Sequence, residues 1–228
     1  MSKAGWIIIG ALAIFIIALA IYNGGGSNGE KEDTAGVWNE QMARGSKEAE
    51  NTFVEYTDVT CPHCADFHNT ASEGTFDEDY IDSGKVRMEI RTTSLLSNVN
   101  SVRAGETAYC AADQGKFFEY YDKIVKQFTK DYFDKGIGIS PTSPKVPKLE
   151  DQYYYDAAKD GGLDVDAMKS CLADGKMTAK VNQATQKAIN MGVTGVPAFD
   201  INNGKYRGSG FGGGYSTVEQ MMRAGGVN

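Results

Sequence analysis

The chain has 228 residues, with 30 acidic against 23 basic side chains and a formal net charge of −7 at pH 7. This acidic balance argues against nucleic-acid binding, which depends on clustered positive charge. Hydrophobic residues make up 41% of the chain, which is enough for one domain with a substantial core.

Residues 4–22 form an uninterrupted run without a charged side chain. As a helix, a run of this length spans roughly 28 Å, about the thickness of the hydrocarbon core of a bilayer. Trp6 and Tyr22 lie near its two ends, where interfacial aromatic residues are typical. Because Lys3 precedes the run and a net acidic stretch follows it, the positive-inside rule predicts a cytoplasmic start and an extracytoplasmic remainder. We therefore expect residues 1–22 to be a cytoplasmic start and a single-pass anchor in the cell membrane.

A cleaved secretory signal is the alternative interpretation of the apolar run. Ala18-Leu19-Ala20 has the small-x-small pattern of a cleavage site, although the run continues beyond it to Tyr22. Both interpretations place the rest of the chain outside the cytoplasm. The segment 23–36 contains glycines followed by charged side chains, and we expect it to be a flexible linker.

The remaining sequence predicts strands at both ends of a long helical region. Residues 37–48 indicate a short helix or an extended lead-in, and 51–58 indicate a strand rich in β-branched and aromatic side chains. A helix follows to about residue 72, and alternating apolar and charged residues predict a second strand at 85–92. The later predicted elements are helices around 104–112 and 117–125, a loop at 136–150, helices at 151–160, 164–174 and 178–191, strands at 196–201 and 205–208, and a closing helix at 216–224.

Two cysteines lie three positions apart in Cys61-Pro62-His63-Cys64, where the first strand gives way to a helix. At a helix N-terminus, backbone N–H groups and the helix dipole stabilise a thiolate. This position favours a redox-active pair over half a zinc site or a structural bridge. A zinc site is further disfavoured because His63 and His68 are the only two histidines and the other cysteines lack ligand spacing. We expect no metal, and no cofactor other than the Cys61–Cys64 disulfide itself.

Two segments of the sequence resemble the DsbA-like thiol–disulfide oxidoreductases. The run from Phe53 to Cys64 resembles their active-site region, and the run from Gly192 to Phe199 resembles their cis-proline loop. The order of the predicted elements is that of an α/β thioredoxin fold with an inserted helical domain. The expected organisation is a transmembrane helix within 1–22, a linker at 23–36, a thioredoxin-like domain at 37–98 and 181–228, and a helical insertion domain at 99–180.

The residue types of the motif suggest a role for each member. We expect Cys61 to be the exposed nucleophile and Cys64 to be more buried and less reactive. Pro62 suits the first helical turn, where its missing N–H is not needed. His63 is expected to stabilise the Cys61 thiolate, with a solvated histidine of no special role as the alternative. A low thiol pKa stabilises the reduced pair and so makes the disulfide an oxidant.

The resemblance implies roles for three residues outside the motif. Glu55 occupies the position of a buried acid that relays protons to Cys64, the alternative being a surface carboxylate on an alternating strand. The peptide bond between Val196 and Pro197 is expected to be cis and to face the cysteine pair. The backbone of Val196 would then be available to pair with an extended substrate segment. An ordinary trans proline that opens an edge strand is the alternative.

The other two cysteines, Cys110 and Cys171, both lie in the predicted helical insert. In an oxidising compartment, two remaining cysteines most simply pair with each other. We therefore expect a structural disulfide between them. A second electron-relay pair and two unpaired buried thiols are the alternatives, and neither cysteine has the spacing or the nearby histidine of a relay.

These observations predict an extracytoplasmic thiol–disulfide oxidoreductase that introduces disulfide bonds into reduced exported proteins through Cys61 and Cys64. The resemblance also implies reoxidation by a membrane quinone-linked partner. One alternative is a reductase or isomerase of the same fold, although the short 23–50 segment does not fit the dimerisation domain usual in such isomerases. The other alternative is a non-catalytic thioredoxin-like binding module, which the intact cysteine pair and Pro197 disfavour.

Overall fold

The computed structural model describes residues 39–228, so the expected anchor and linker lie outside the described residues. Within that range, no helix is both long enough and apolar enough to cross a bilayer. The described chain contains a sheet of five strands. The strands are Ala43–Arg44 (β1), Asn51–Thr57 (β2), Val86–Thr92 (β3), Ala198–Ile201 (β4) and Tyr206–Ser209 (β5).

The sheet is mixed and has the order β1-β3-β2-β4-β5. The central strand β2 runs parallel to β3 and antiparallel to β4, which places Glu55 between Ile90 and Phe199. From Phe53 to Thr57 every residue of β2 is buried, as expected for a strand covered on both faces. On β3 the buried and half-buried residues alternate, which confirms the strand predicted from the same alternation in sequence.

Seven α-helices surround the sheet in the described part of the chain. They are Pro62–Glu73 (α1), Ser101–Asp113 (α2), Phe117–Asp131 (α3), Asp151–Asp160 (α4), Val165–Ala173 (α5), Lys176–Asn190 (α6) and Tyr215–Ala224 (α7). All seven were expected from the sequence, with bounds that differ by a few residues. The predicted lead-in is a 3₁₀ turn at Glu40–Met42 followed by β1, and the π-helical turn at Asp77–Asp82 was not predicted.

An aromatic cluster attaches α1 to the sheet. The ring of Phe67 on α1 lies 5.8 Å from that of Phe53 on β2 and 4.7 Å from that of Phe199 on β4, measured between centroids. Phe211 closes the cluster with an edge-to-face contact at 5.2 Å from Phe67. Phe53 and Phe67 are fully buried, so this packing holds the helix that begins at the cysteine pair.

The helices of the predicted insert pack closely against one another. On α2, a Cβ atom added at Gly105 would lie 2.9 Å from a methyl group of Val181 on α6, so only glycine fits this helix crossing. A disulfide between Cys110 and Cys171 joins α2 to α5. Helix α6 is continuous from Lys176 to Asn190 and passes through the position where the sequence suggested a domain boundary.

Candidate active site

The cysteine pair sits at the N-terminus of α1, directly after β2. Cys61 is the N-cap residue of this helix, with φ −93° and ψ 121°, and Pro62 is its first residue. The backbone N–H of Cys61 donates to the carbonyl of Asp58 at 2.9 Å and so closes a tight turn between strand and helix. Proline is well placed here because the first helical N–H groups have no partner within the helix.

Both cysteines are free thiols, and both are buried in the structure. Cys61 is 2% exposed and Cys64 is 1% exposed, so the expectation of an exposed Cys61 is wrong. The reason is that Cys61 packs in a small apolar cluster with residues that include Val54, Val196 and Ala198. Cys61 nevertheless borders an open groove of about 660 Å³, which gives a partner sulfur a route to it.

The surroundings of the two thiols move their pKa values in opposite directions. The pKa of Cys61 is lowered, chiefly because the Cys64 thiol donates a hydrogen bond to its sulfur. The backbone N–H groups of Cys64 and His63 add to this effect, whereas burial and the charge of Asp58 oppose it. Burial, followed by the Cys61 thiolate and Glu55, raises the pKa of Cys64 well above its usual range. Cys61 is therefore the thiol of the pair that ionises more readily, and Cys64 is the one that holds its proton more strongly.

The loop before β4 lies against the cysteine pair. The peptide bond between Val196 and Pro197 is cis, as the family resemblance implied. In its neutral form the Cys61 thiol donates to the carbonyl oxygen of Val196, with 3.5 Å between sulfur and oxygen. The carbonyl of Pro197 accepts the N–H of Gly210 at 2.7 Å, which joins this loop to the end of β5. The structure thus brings Cys61, Val196 and Pro197 together, as the sequence predicted.

The imidazole of His63 lies near an acidic side chain of its own helix. Its Nδ1 is 3.7 Å from a carboxylate oxygen of Asp66, and both side chains are more than half exposed. The contribution of His63 to the Cys61 thiolate comes from its backbone N–H. A direct role of the ring stays a prediction, while the position of Pro62 and His63 in the first helical turn is as expected.

Glu55 lies inside the protein on β2, and the alternative of a surface carboxylate is wrong. Its side chain is 1% exposed, and its Oε1 atom has no hydrogen-bond partner. Burial raises its pKa to about 8, against the opposing effects of the Thr57 hydroxyl and the positive charge of Arg44. Its charge in turn raises the pKa of Cys64, so the two buried groups interact electrostatically. Glu55 has the burial and the affinity for protons that a proton relay to Cys64 requires.

The cationic neighbour of this acid was missed in the sequence. Arg44 on β1 donates to Asp77 at 2.7 Å and interacts favourably with Glu55. Burial lowers the pKa of Arg44, and these acidic neighbours oppose that effect. Arg91, the more obvious basic residue on β3, instead binds Glu89 at 2.9 Å. No sequence pattern marks Arg44, because β1 is only two residues long.

A second missed residue reaches the site from the helical insert. The hydroxyl of Tyr121 on α3 lies 2.8 Å from that of Thr57, and both residues are fully buried. Burial, together with the charges of Glu55 and Cys64, raises the pKa of Tyr121 well above its usual range. Helix α3 therefore supplies a neutral hydroxyl next to the buried acid. The apolar pattern of this segment predicted a helix but not which of its aromatic rings faces the site.

The remaining expected features concern the other cysteines and metals. Cys110 and Cys171 form a disulfide with an S–S distance of 2.06 Å, within the helical part of the structure. Among residues 39–228, no group of three or more histidine, cysteine, aspartate or glutamate side chains is arranged to hold a metal ion.

The sequence matches a family model and is similar to curated proteins. The family model described as thioredoxin matches residues 38–221. Disulfide bond formation protein D of Bacillus anthracis is 23% identical over 201 residues, which cover 86% of this chain and 85% of that protein. A protein-disulfide oxidoreductase of Rickettsia bellii is 29% identical over 165 residues, which cover 71% of this chain and 56% of that protein.

Solved structures share the fold. Alpha-DsbA1 of Wolbachia pipientis aligns with a TM-score of 0.59 at 21% identity, covering 81% of this chain and 90% of that one. A thioredoxin-like oxidoreductase from Silicibacter pomeroyi aligns with a TM-score of 0.58 at 22% identity, covering 79% and 89% of the two chains. Since the family model spans most of the sequence and the cysteine pair occupies the expected turn, the chain belongs to the thioredoxin family and is a DsbA-like thiol–disulfide oxidoreductase.

Proposed function

We propose that this protein is an extracytoplasmic oxidant that introduces disulfide bonds into reduced exported proteins. The observation that carries the proposal is the opposite displacement of the two thiol pKa values, lowered at Cys61 and raised at Cys64. A stabilised Cys61 thiolate favours the reduced pair, and a pair that is stable when reduced is an oxidant when it is a disulfide.

The reaction proceeds in two exchanges. A substrate thiolate attacks the Cys61 sulfur, a mixed disulfide forms, and the bond between Cys61 and Cys64 breaks with Cys64 leaving as a thiolate. Because burial disfavours that thiolate, it takes up a proton, and Glu55, whose pKa is about 8, holds one at neutral pH. A second substrate thiolate then attacks the substrate sulfur and releases Cys61 as a thiolate. Two electrons pass from the substrate dithiol to the pair, and the substrate gains one disulfide.

The groove beside Cys61 suits an extended substrate segment. Leu96, Val99 and Ile139 line it, and all three are exposed apolar side chains. Val196, whose backbone carbonyl contacts the Cys61 sulfur, lies on its border. Apolar side chains next to a substrate cysteine would be buried here, and such side chains are accessible in proteins that have not yet folded.

The location and the reoxidising partner are parts of the same proposal. The uncharged run at 4–22 supports a single-pass anchor in the cell membrane, with the catalytic domain on the extracytoplasmic side. An anchored domain would stay close to a quinone-linked membrane partner that accepts its electrons. The name of the Bacillus anthracis relative, a disulfide bond formation protein, supports the oxidising direction.

Trapping of mixed disulfides tests the proposal and the choice of nucleophile. Cys64→Ala cannot form the Cys61–Cys64 disulfide, so its Cys61 is first converted to a mixed disulfide with glutathione. A thiolate of a reduced exported protein that has a single cysteine then attacks the Cys61 sulfur, glutathione leaves as a thiol, and the mixed disulfide with Cys61 should accumulate because no second substrate thiol resolves it. Cys61→Ala is the matched control and should trap far fewer. Equal trapping by both variants would contradict the assignment of Cys61, and no trapping by either would favour the non-catalytic binding module.

A further inference from the structure

A second buried carboxyl group lies in the turn that leads to Cys61. Asp58 is fully buried, three residues before Cys61. Its Oδ1 accepts hydrogen bonds from the backbone N–H of Thr60 at 3.0 Å and from the Thr60 hydroxyl at 2.7 Å. Its Oδ2 accepts the backbone N–H of Leu96 at 3.2 Å. Both carboxylate oxygens are therefore satisfied by neutral donors.

In these hydrogen bonds the carboxylate oxygens of Asp58 act as acceptors. The hydroxyl of Thr60 has one proton, and it also accepts a hydrogen bond from the side-chain amide of Asn98 at 2.7 Å. Besides Asp58, the Ser101 hydroxyl lies near this proton, at 3.2 Å from the Thr60 oxygen, and the contact with Asp58 is the shorter of the two. Burial is the largest effect and raises the pKa of Asp58, against the opposing effect of the donors on Thr60, Ser101 and Leu96. These donors favour the charged form of the carboxyl group against the effect of burial.

The same network connects the active-site turn to the groove wall and to helix α2. Asn98 donates to Thr60, and its own side-chain oxygen accepts the backbone N–H of Ser101 at 3.1 Å, at the start of α2. Leu96, whose N–H binds Asp58, lines the groove beside Cys61. One carboxylate therefore holds together the segment before the nucleophile and the wall along which a substrate would lie.

The charge of Asp58 also acts on the nucleophile. It opposes the ionisation of Cys61 and counteracts the hydrogen bonds that favour the thiolate. Its charge also acts on the phenol of Tyr154, on α4. A negative charge next to a thiolate destabilises the reduced pair and so reduces the tendency of the disulfide to accept electrons.

We propose that Asp58 is a positioning residue that fixes the groove wall to the Cys61 turn, and that its charge makes the pair a milder oxidant than the motif alone would be. The proposal rests on the proposed function, because it concerns the redox potential of the same cysteine pair. It gives the buried carboxyl group of Asp58 a function at a site where the hydrogen bonds to the Cys61 sulfur favour the thiolate.

Asp58→Asn tests the effect of the charge in the full-length protein. The measured equilibrium is oxidised protein plus two glutathione thiols against reduced protein plus glutathione disulfide. Without the negative charge we expect the reduced form to be favoured by about three- to tenfold, and the pKa of Cys61 to fall. A tenfold change corresponds to a potential about 30 mV more oxidising. If Asn disturbs folding, Asp58→Ser offers a smaller uncharged acceptor with the same expected shift.

Two control variants separate charge from structure. Glu119→Gln removes the same charge from an exposed position on α3 and should leave the equilibrium close to that of the wild type. Asn98→Ala keeps the donors to Asp58 but breaks the connection from Thr60 to the start of α2, so it should destabilise the fold without reproducing the oxidising shift.

The proposal is overturned if folded Asp58→Asn and Asp58→Ser keep the wild-type equilibrium or move toward a more reducing pair. It is also overturned if Asn98→Ala gives the same oxidising shift, because the lost connection to α2 would then explain it. A wild-type protein that does not exchange with glutathione contradicts the proposed function itself. A wild-type protein that exchanges normally, with unshifted Asp58 variants, contradicts only the role of Asp58.

Discussion

At the scale of single residues, the two cysteines differ through the groups around them. Backbone N–H groups and the Cys64 thiol stabilise charge on Cys61, while burial and Glu55 disfavour charge on Cys64. Glu55 has an unpartnered oxygen, whereas three donors satisfy the carboxylate of Asp58. The two buried acids therefore lie in different surroundings, one with an oxygen free to carry a proton and the other with donors that favour its charged form.

Glu55→Gln should stabilise the protein in a pH-dependent way. The folded-state pKa of Glu55 is about 8, above the value of 4.5 for an exposed glutamate, so its burial costs nothing in acid. The wild type loses stability as the pH rises between those two values, because the unfolded chain ionises first. The free energy of unfolding should therefore increase in Glu55→Gln by roughly 2 kcal/mol or more at pH 8, and little at pH 5. Urea unfolding at both pH values measures this, and an equal effect at both would contradict the raised pKa.

Tyr121→Phe should act on the active site as well as on stability. Removing its hydroxyl takes away one of the buried hydrogen-bond partners of Thr57, which costs about 1 kcal/mol of unfolding free energy. Because Thr57 also interacts with Glu55, the pH profile of substrate oxidation should shift. Tyr120→Phe is a matched control on the same helix, since its buried hydroxyl binds Thr107 at 2.7 Å. The control should lose similar stability but keep the wild-type profile, and a shift in both variants would argue against a specific role of Tyr121.

Site residues that belong to a short sequence motif could be predicted, whereas residues that only folding brings to the site could not. Cys61 and Cys64 form a short motif between a strand and a helix, and Pro197 lies in a recognisable loop. Arg44 and Tyr121 come from separate elements and approach Glu55 and Thr57 only in the folded chain. The burial of Cys61 escaped prediction for the same reason, because residues from distant segments cover it.

At the scale of secondary-structure elements, the spacing of apolar residues was sufficient to predict the long helices and strands but not the short elements. The sequence predicted every α-helix of the described chain. Asp164 caps α5 by accepting the N–H groups of Asp166 and Ala167. The strand β1 and the π-helical turn at Asp77–Asp82 carry too few residues for a periodic pattern. β1 nevertheless positions Arg44, so a two-residue element contributes to the site.

The disulfide between α2 and α5 should contribute to stability and not to electron transfer. Cys110 and Cys171 are 61 residues apart, and closing a loop of that size stabilises a fold by roughly 4 kcal/mol in the chain-entropy model. Replacing both cysteines by alanine should lower the free energy of unfolding by about 2–4 kcal/mol in urea. The Cys61–Cys64 equilibrium with glutathione should stay at the wild-type value. A variant of unchanged stability that no longer oxidises substrates would instead indicate an electron relay.

At the scale of the whole molecule, the thioredoxin-like sheet and the helical insert both contribute to one site. The sheet supplies Glu55 and the helix that begins at Cys61, while α3 supplies Tyr121. The network around Asp58 joins the active-site turn to α2. The sequence predicted the insert from its helical texture, but it did not indicate how the insert meets the site. That contact depends on tertiary packing, for which a single sequence has no periodic signal.

The central claim is that the pair acts as an oxidant, and the reduction potential of the full-length protein tests it most directly. Equilibration with glutathione gives the potential, and the pH dependence of thiol alkylation gives the pKa of Cys61. We predict a Cys61 pKa well below that of a free cysteine, about 8.5, and a pair more oxidising than glutathione. A Cys61 pKa near the free value, together with a strongly reducing potential, would contradict the account and identify a reductase.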